Sequence, residues 1–260
     1  MRRLRRLADR SVRSDRREFL AEGPQAVREA LAEVGVCVEV LATRAGTARH
    51  AQLLDAAQRG QVPWTVVDDD VLQALADTVT PQGVVARCRF VDVPVERLLR
   101  PTPRLLALCA DVREPGNAGT VIRCADAAGA DGVVLTGSSV DPYNAKVVRA
   151  SVGSLFHVGL AIEPDSTAVA GAVRGAGLTV LAADAVGDLD LDEAADSGLL
   201  NGPTAWLFGN EAWGLPPEAR GLADRVVNVP IHGRAESLNL ATAAAVCLYA
   251  SARAHRADQR

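Results

Sequence analysis

Aromatic residues are scarce in this sequence, 3% of 260, and lysine occurs once, as Lys146. So little lysine beside abundant Ala, Gly and Arg reads as a genome-wide compositional bias, and the number of arginines therefore says little by itself. The five cysteines (Cys37, Cys88, Cys109, Cys124, Cys247) are odd in number and contain no C-x-x-C pair, which speaks against a disulfide framework. The four histidines, His50, His157, His232 and His255, show no ligand spacing, so no metal site is expected. No apolar run approaches the ~18 residues of a membrane span, and the Arg-rich start lacks the apolar stretch of an export signal. A cytoplasmic protein with no membrane partner is the expectation. No G-x-G-x-x-G motif follows a strand, which excludes a Rossmann dinucleotide site.

What is present supports two small domains rather than one large one, since 48% hydrophobic content in 260 residues can fill two cores. The net charge of −4 argues against a general nucleic-acid coat. Charge placement matters more than the sum. Arg2, Arg3, Arg5, Arg6, Arg10, Arg13, Arg16 and Arg17 face only Asp9 and Asp15 before Glu18. That cluster makes Arg5, Arg6, Arg10, Arg13, Arg16 and Arg17 candidates for phosphate contact.

Apolar periodicity predicts helices over 2–20 and 24–34, a strand over 36–41, a helix over 48–59, a strand over 64–67, a helix over 69–76 and a strand over 83–90. These make a small α/β domain, 1–92. Pro94, Pro101 and Pro103 mark a linker over 93–103. From 104 to 260 strands and helices alternate: strands over 105–110, 132–136, 156–162, 178–182, 205–208 and 225–229, and helices over 118–129, 145–152, 167–175, from 216, and over 237–254. Such alternation predicts a parallel sheet covered on both faces.

Three stretches stand where a strand ends and a helix begins, the ligand edge of an open parallel sheet. In the first, Asp111 to Ala125, Pro115 and Gly116 make a turn, Asn117 reads as the cap of a helix starting at Ala118, and Arg123 is expected at a similar azimuth. Alone this is a capped helix with a surface arginine. The second, Trp206-Leu-Phe-Gly209-Asn210-Glu211-Ala-Trp213-Gly214, places a carboxylate just past a strand between glycines that admit a close approach. In the third, Val229-Pro-Ile231-His232 runs through Gly233 and Glu236 to Ser237-Leu238-Asn239. There Ser237 reads as an N-cap and Asn239 as an unusual residue for the first turn of an Ala-rich helix. Trp64, Trp206 and Trp213 read as packing residues.

Together the three stretches resemble the signature of the SpoU (TrmH-like) branch of the SPOUT RNA 2′-O-ribose methyltransferases: N-x-G-x-x-x-R-x-A, then F-G-N-E-x-x-G, then V-P-I followed by S-L-N. The likeness spans about residues 105 to 254, and Asp141 to Ser154 looks like that domain's intervening helix. Residues 15 to 90 are similar to the small L30e-like RNA-binding domain found ahead of many members. The resemblance implies an α/β fold in which the C-terminal parallel-sheet domain holds a deep trefoil knot. It implies S-adenosylmethionine bound through Leu207, Gly209, Val229, Ile231, Leu238 and Asn239, and a homodimer through the C-terminal domain with the active site completed across the interface. Arg123, Asn117, Glu211, Ser237 and Asn239 would be the catalytic set. A guanidinium stays protonated, so Arg123 is expected to clamp phosphate and ease alkoxide formation, oriented by Asn117 and Glu211. Ribosomal RNA, 23S above all, is the expected substrate. The alternatives are a tRNA 2′-O-methyltransferase and, from another class, a non-catalytic RNA-binding protein on the same fold.

Overall fold

The computed structural model describes residues 2–257, without the side chain of Arg2. It comprises two units, one of residues 1–91 with 141–157 and one of 92–140 with 158–260.

The first unit opens with short helices α1 (Arg2–Arg5) and α2 (Arg10–Arg16), separated by a 3-10 turn. The sequence predicts one helix over 2–20 here. Asp9 breaks it by accepting the Ser11 N–H, and Arg17 ends α2 in the left-handed region at φ 53°. Glu18 to Glu22 then alternates inward and outward as strand β1 (Glu18–Glu22). There follow α3 (Pro24–Ala32), β2 (Cys37–Thr43), α4 (Arg44–Arg49), α5 (Ala51–Arg59), β3 (Trp64–Val67), α6 (Asp69–Gln73) and β4 (Val84–Arg89). The four strands pair in the order β1-β4-β2-β3, the last pair parallel and the others antiparallel.

In the second unit, α7 (Val95–Leu98) occupies part of the predicted linker, starting directly after Pro94, where a proline suits the residue before a helix. Then come β5 (Leu105–Ala110), α8 (Pro115–Ala128) and β6 (Gly132–Thr136). At Asp141 the chain returns to the first unit for α9 (Ala145–Ser151). The sequence reading set this segment with the second half; the few aromatics explain its place. Phe19, Phe90, Phe156 and Tyr143 form one cluster, with Tyr143 stacked on Phe90 at 3.6 Å and 4.8 Å from Phe19. Two of these four rings come from the returning segment.

The second unit continues with β7 (Gly159–Glu163), α10 (Ser166–Gly175), β8 (Thr179–Ala183), the two-residue β9 (Leu189–Asp190), α11 (Leu191–Asp196), β10 (Thr204–Phe208), α12 (Pro217–Arg220), β11 (Arg225–Asn228) and α13 (Leu240–Ala257). Its seven strands are all parallel, in the order β7-β6-β5-β10-β8-β11-β9. Every residue of β5, β6 and β10 is buried, as a sheet covered on both faces requires. Helix α13 lies against β10 and α8. The Trp206 indole N–H donates to Ser251 at 2.9 Å in the core, and the Tyr249 hydroxyl donates to the Ala127 carbonyl at 3.3 Å. All five cysteines are free. Burial, with the charge of Glu211 adding to it, pushes the Cys109 thiol up to about 12, and burial does the same at Cys247.

Arg13 was a candidate phosphate contact; the structure instead buries it to 5% exposure. Its guanidinium donates to the Asp141 carboxylate at 3.0 and 2.6 Å and to the carbonyls of Leu7 and Ala8 at 2.8 and 2.7 Å, so four of its five N–H donors are engaged and the nearly buried group is not presented to a phosphate. Removing the guanidinium strands a nearly buried carboxylate. Arg13→Met should cost about 3–5 kcal/mol, read as a lower urea midpoint, whereas neutralising exposed Arg5, Arg6 or Arg10 should leave the stability from the same urea curves within about 0.5 kcal/mol of wild type.

Candidate active site

Register sets the site. Phe208 at the end of β10 lies opposite Cys109 of β5 and Ala183 of β8, and Ala183 also lies opposite Val227 of β11. Four strands therefore release their chains at one edge of the sheet. The loops after β8, β10 and β11 enclose a cavity of about 280 Å³. Asp184 lines it from the first, Gly209 and Glu211 from the second, and Val229, Ile231, Ser237 and Leu238 from the third. Ile231 and Leu238 are 38% and 36% exposed, an apolar wall open to a ligand. The described lining holds two carboxylates and no basic side chain.

The loop after β10 is a hairpin. Asn210 and Gly214 exchange backbone hydrogen bonds of 3.0 and 2.9 Å, and Asn210, 6% exposed, donates from Nδ2 to the Asp111 carbonyl at 2.7 Å. Gly209 is forced by this packing, because a Cβ there would lie 2.5 Å from the Gly214 carbonyl carbon and oxygen. Glu211 accepts the backbone N–H groups of Arg113 and Glu114 at 3.2 and 3.0 Å, which ties the hairpin to the loop after β5. Asp184 accepts the Leu215 N–H at 3.4 Å and the Val186 N–H at 3.2 Å. Asp184 and Asn210 were absent from the sequence-derived set. Asp184 follows a strand just as Glu211 does, so the strand-end rule marks both equally.

Several expected roles change. Helix α8 begins at Pro115, capped by Glu114, whose Oε1 accepts the Gly116 N–H at 3.4 Å. Asn117 is therefore inside the first turn and caps nothing. Helix α13 begins at Leu240, so Ser237 lies in the loop, and Asn239 is the cap, accepting the Ala241 and Thr242 N–H groups at 2.9 and 3.3 Å. Asn239 also donates from Nδ2 to Asn117 Oδ1 at 3.0 Å, joining the starts of α8 and α13. Arg123 does not share the azimuth of Asn117: six residues at about 100° each leave the two roughly 120° apart. It is exposed, makes no hydrogen bond or ion pair with a described residue, and is oriented by neither Asn117 nor Glu211. Leu207 packs in the sheet core, so its side chain is not in the cavity lining. Gly209, Val229, Ile231, Leu238, Glu211 and Ser237 do line the cavity; Asn239 and Asn117 meet without lining it.

In the first unit, Arg5, Arg6 and Arg10 are exposed, Arg16 donates to the Arg3 carbonyl at 3.0 Å, and the Arg17 guanidinium lies 4.8 Å from the Phe90 ring centroid. Arg5, Arg6 and Arg10 are thus the candidates most open to phosphate.

Residues 104–249 match the SpoU rRNA Methylase family, and residues 1–86 match the MRM3-like substrate binding domain. The chain is 31% identical over 244 residues to the 23S rRNA (guanosine(2553)-2'-O)-methyltransferase RlmP of Bacillus subtilis, covering 94% of this chain and 92% of that one. Among solved structures, the SpoU methyltransferase AviRb from Streptomyces viridochromogenes in complex with AdoMet superposes with a TM-score of 0.83 at 31% identity, over 98% of both chains. The AdoMet-bound rRNA methyltransferase from Sinorhizobium meliloti gives 0.82 at 30%, over 97% of this chain and 93% of that one.

The double role of Asn239 separates by substitution. Asn239→Ala should lower stability by about 1 kcal/mol through the lost cap, while Asn239→Ser keeps a capping oxygen and should restore most of it. Urea midpoints of the two variants check this.

Proposed function

The chain belongs to the SpoU rRNA methylase family, and from that premise we propose that it transfers the methyl group of S-adenosylmethionine to one ribose 2′-hydroxyl of 23S ribosomal RNA. The cofactor class and the methyltransferase activity are those of the family; the RNA, the assignment of residues and the assembly are the proposal. RlmP, and RlmB of Nitrosomonas europaea at 28% identity, are 23S rRNA 2'-O-methyltransferases by name, and the substrate-binding match at the front of the chain favours the same class of RNA.

The observation that carries the reading is the cavity itself. Two carboxylates, an aliphatic wall and no basic group among its described lining suit a cationic sulfonium with a flat apolar base, and would repel the phosphates of a dinucleotide or nucleoside triphosphate. Gly209, Val229, Ile231, Ser237 and Leu238 would hold the cofactor, which when bound supplies an activated methyl group. Asp184 and Glu211 favour its positive charge. The Asn239–Asn117 contact keeps the rim in place, and the backbone of Leu207 contributes by fixing where Gly209 leaves the sheet.

In-line transfer needs the 2′-oxygen aligned with the methyl and relieved of its proton. Arg123, charged and without a hydrogen-bond or ion-pair partner among the described residues, is suited to hold a phosphate beside the target ribose and to stabilise the developing alkoxide. Because it does not line the cavity of its own chain, the proposed active unit is a homodimer through the C-terminal domain, in which one copy's Arg123 serves the other's cavity. Residues 1–92 are assigned to binding the RNA and 104–260 to catalysis, with 93–103 between them. Exposed Arg5, Arg6, Arg10 and Arg17, with half-buried Arg16, would contact phosphates. A cytoplasmic setting is part of the proposal; among the described residues no helix is long and apolar enough to cross a membrane, and no cluster could hold a metal ion.

Incubating the protein with methyl-labelled S-adenosylmethionine and unmodified 23S rRNA, then mapping the labelled nucleotide, tests the reading; no incorporation into rRNA would overturn it. Arg123→Ala should lower the turnover by about 10²–10³-fold while calorimetry shows the cofactor still bound. A nearly active variant would remove Arg123 from the mechanism.

A further inference from the structure

Trp213 is one of three tryptophans, and it is treated unlike Trp206. Trp206 is fully buried with its N–H given to Ser251. Trp213 stands in the Asn210–Gly214 hairpin with 54% of its surface exposed, and its indole N–H has no hydrogen-bond partner among the described residues. Its carrier is not loose. The hairpin is closed by two backbone hydrogen bonds, held from below by Asn210 on the Asp111 carbonyl, and tied sideways by Glu211 to the Arg113 and Glu114 N–H groups. An aromatic ring kept in water on a pinned loop does not serve the core.

Arg113 supplies the second observation. Its guanidinium lies 5.1 Å from the centroid of the Trp213 ring, within the range of a cation–π contact. The two side chains come from different strand ends, and the carboxylate that joins their loops, Glu211, itself lines the cavity. A ring and a cation are thus presented together at the cavity's edge, while the described cavity lining carries neither.

We propose that Trp213, with Arg113 against its ring, is the platform on which a base of the substrate RNA stacks next to the cofactor cavity. The proposal rests on the methyl-transfer reading above. To bring a 2′-oxygen in line with a methyl group, the enzyme must fix the nucleotide's orientation and not only its phosphates. Single-stranded bases offer a π face to aromatic and guanidinium planes. Every base has such a face, so the platform holds the nucleotide without choosing its identity. The unpartnered indole N–H is available to a base edge or a phosphate oxygen, and Arg113 adds positive charge outside an acidic pocket.

The test uses the full-length protein and an in vitro transcript of 23S rRNA. Trp213→Ala should raise the KM for the transcript about tenfold, with a smaller effect on kcat, and Trp213→Phe should recover most of it. Calorimetry should give the same Kd for S-adenosylmethionine in both variants within about twofold, and the transcript should quench tryptophan fluorescence less in Trp213→Phe than in wild type. An unchanged transcript KM in Trp213→Ala, or a parallel loss of cofactor affinity, would overturn the platform, as would a change of oligomeric state in sedimentation, which would make a second copy the occupant. Wild-type protein that shows Trp213-dependent quenching without methyl transfer would instead overturn the methyl-transfer reading and leave the stacking intact.

Discussion

The Glu211 carboxylate accepts the N–H groups of Arg113 and Glu114, and on that pair of hydrogen bonds depends how two neighbouring strand ends are related. β5 and β10 are adjacent and in register, but register fixes only where the chains leave the sheet. The loops beyond could splay apart in water. Glu211 joins them at backbone level, Asn210 repeats the tie with the Asp111 carbonyl, and Asp184 adds the Leu215 N–H from the other side. The side chains that serve these backbone groups, Asp184, Asn210 and Glu211, also line the cavity, beside glycine, alanine and aliphatic groups. Under the proposed reading, a cofactor held there would meet a surface whose shape these hydrogen bonds set.

Charge is divided across this edge. The described cavity lining is acidic and includes neither Arg113, at its edge, nor Arg123, and the first unit carries its own exposed arginines. Such a division keeps a cationic ligand and a polyanionic one from competing for the same groups.

Much of the second unit was legible in the sequence. The strands at 105–110 and 132–136 appear with those limits, and 205–208 differs by one residue, because fully buried parallel strands are uniform apolar runs with sharp ends. The three motifs converge on one sheet edge as expected. What failed was local. The arginine-rich start looked like a single helix because charge and apolar spacing ran on through Arg17, whereas a left-handed turn there is invisible to periodicity. Capping was misassigned twice: Glu114 and Asn239 do what Asn117 and Ser237 were expected to do, since an oxygen two or three residues away in sequence can serve as well once the loop bends. The place of 141–157 could not be read from spacing, because its partner rings lie far off in the sequence. Arg13 shows the same limit: composition counts a charge without showing that Asp141 has already claimed it.

That returning segment has a consequence for synthesis. The first unit looks like a domain that could fold as soon as β4 leaves the ribosome, yet its ring cluster lacks Tyr143 and Phe156, and buried Arg13 lacks Asp141, until the chain has been made through His157. By then β5, α8 and β6 have also emerged. The first unit is begun before β5 but cannot be finished before it, and a fragment cut at the proline-rich segment would lack the rings that cover Phe19 and the counter-ion of the Arg13 guanidinium.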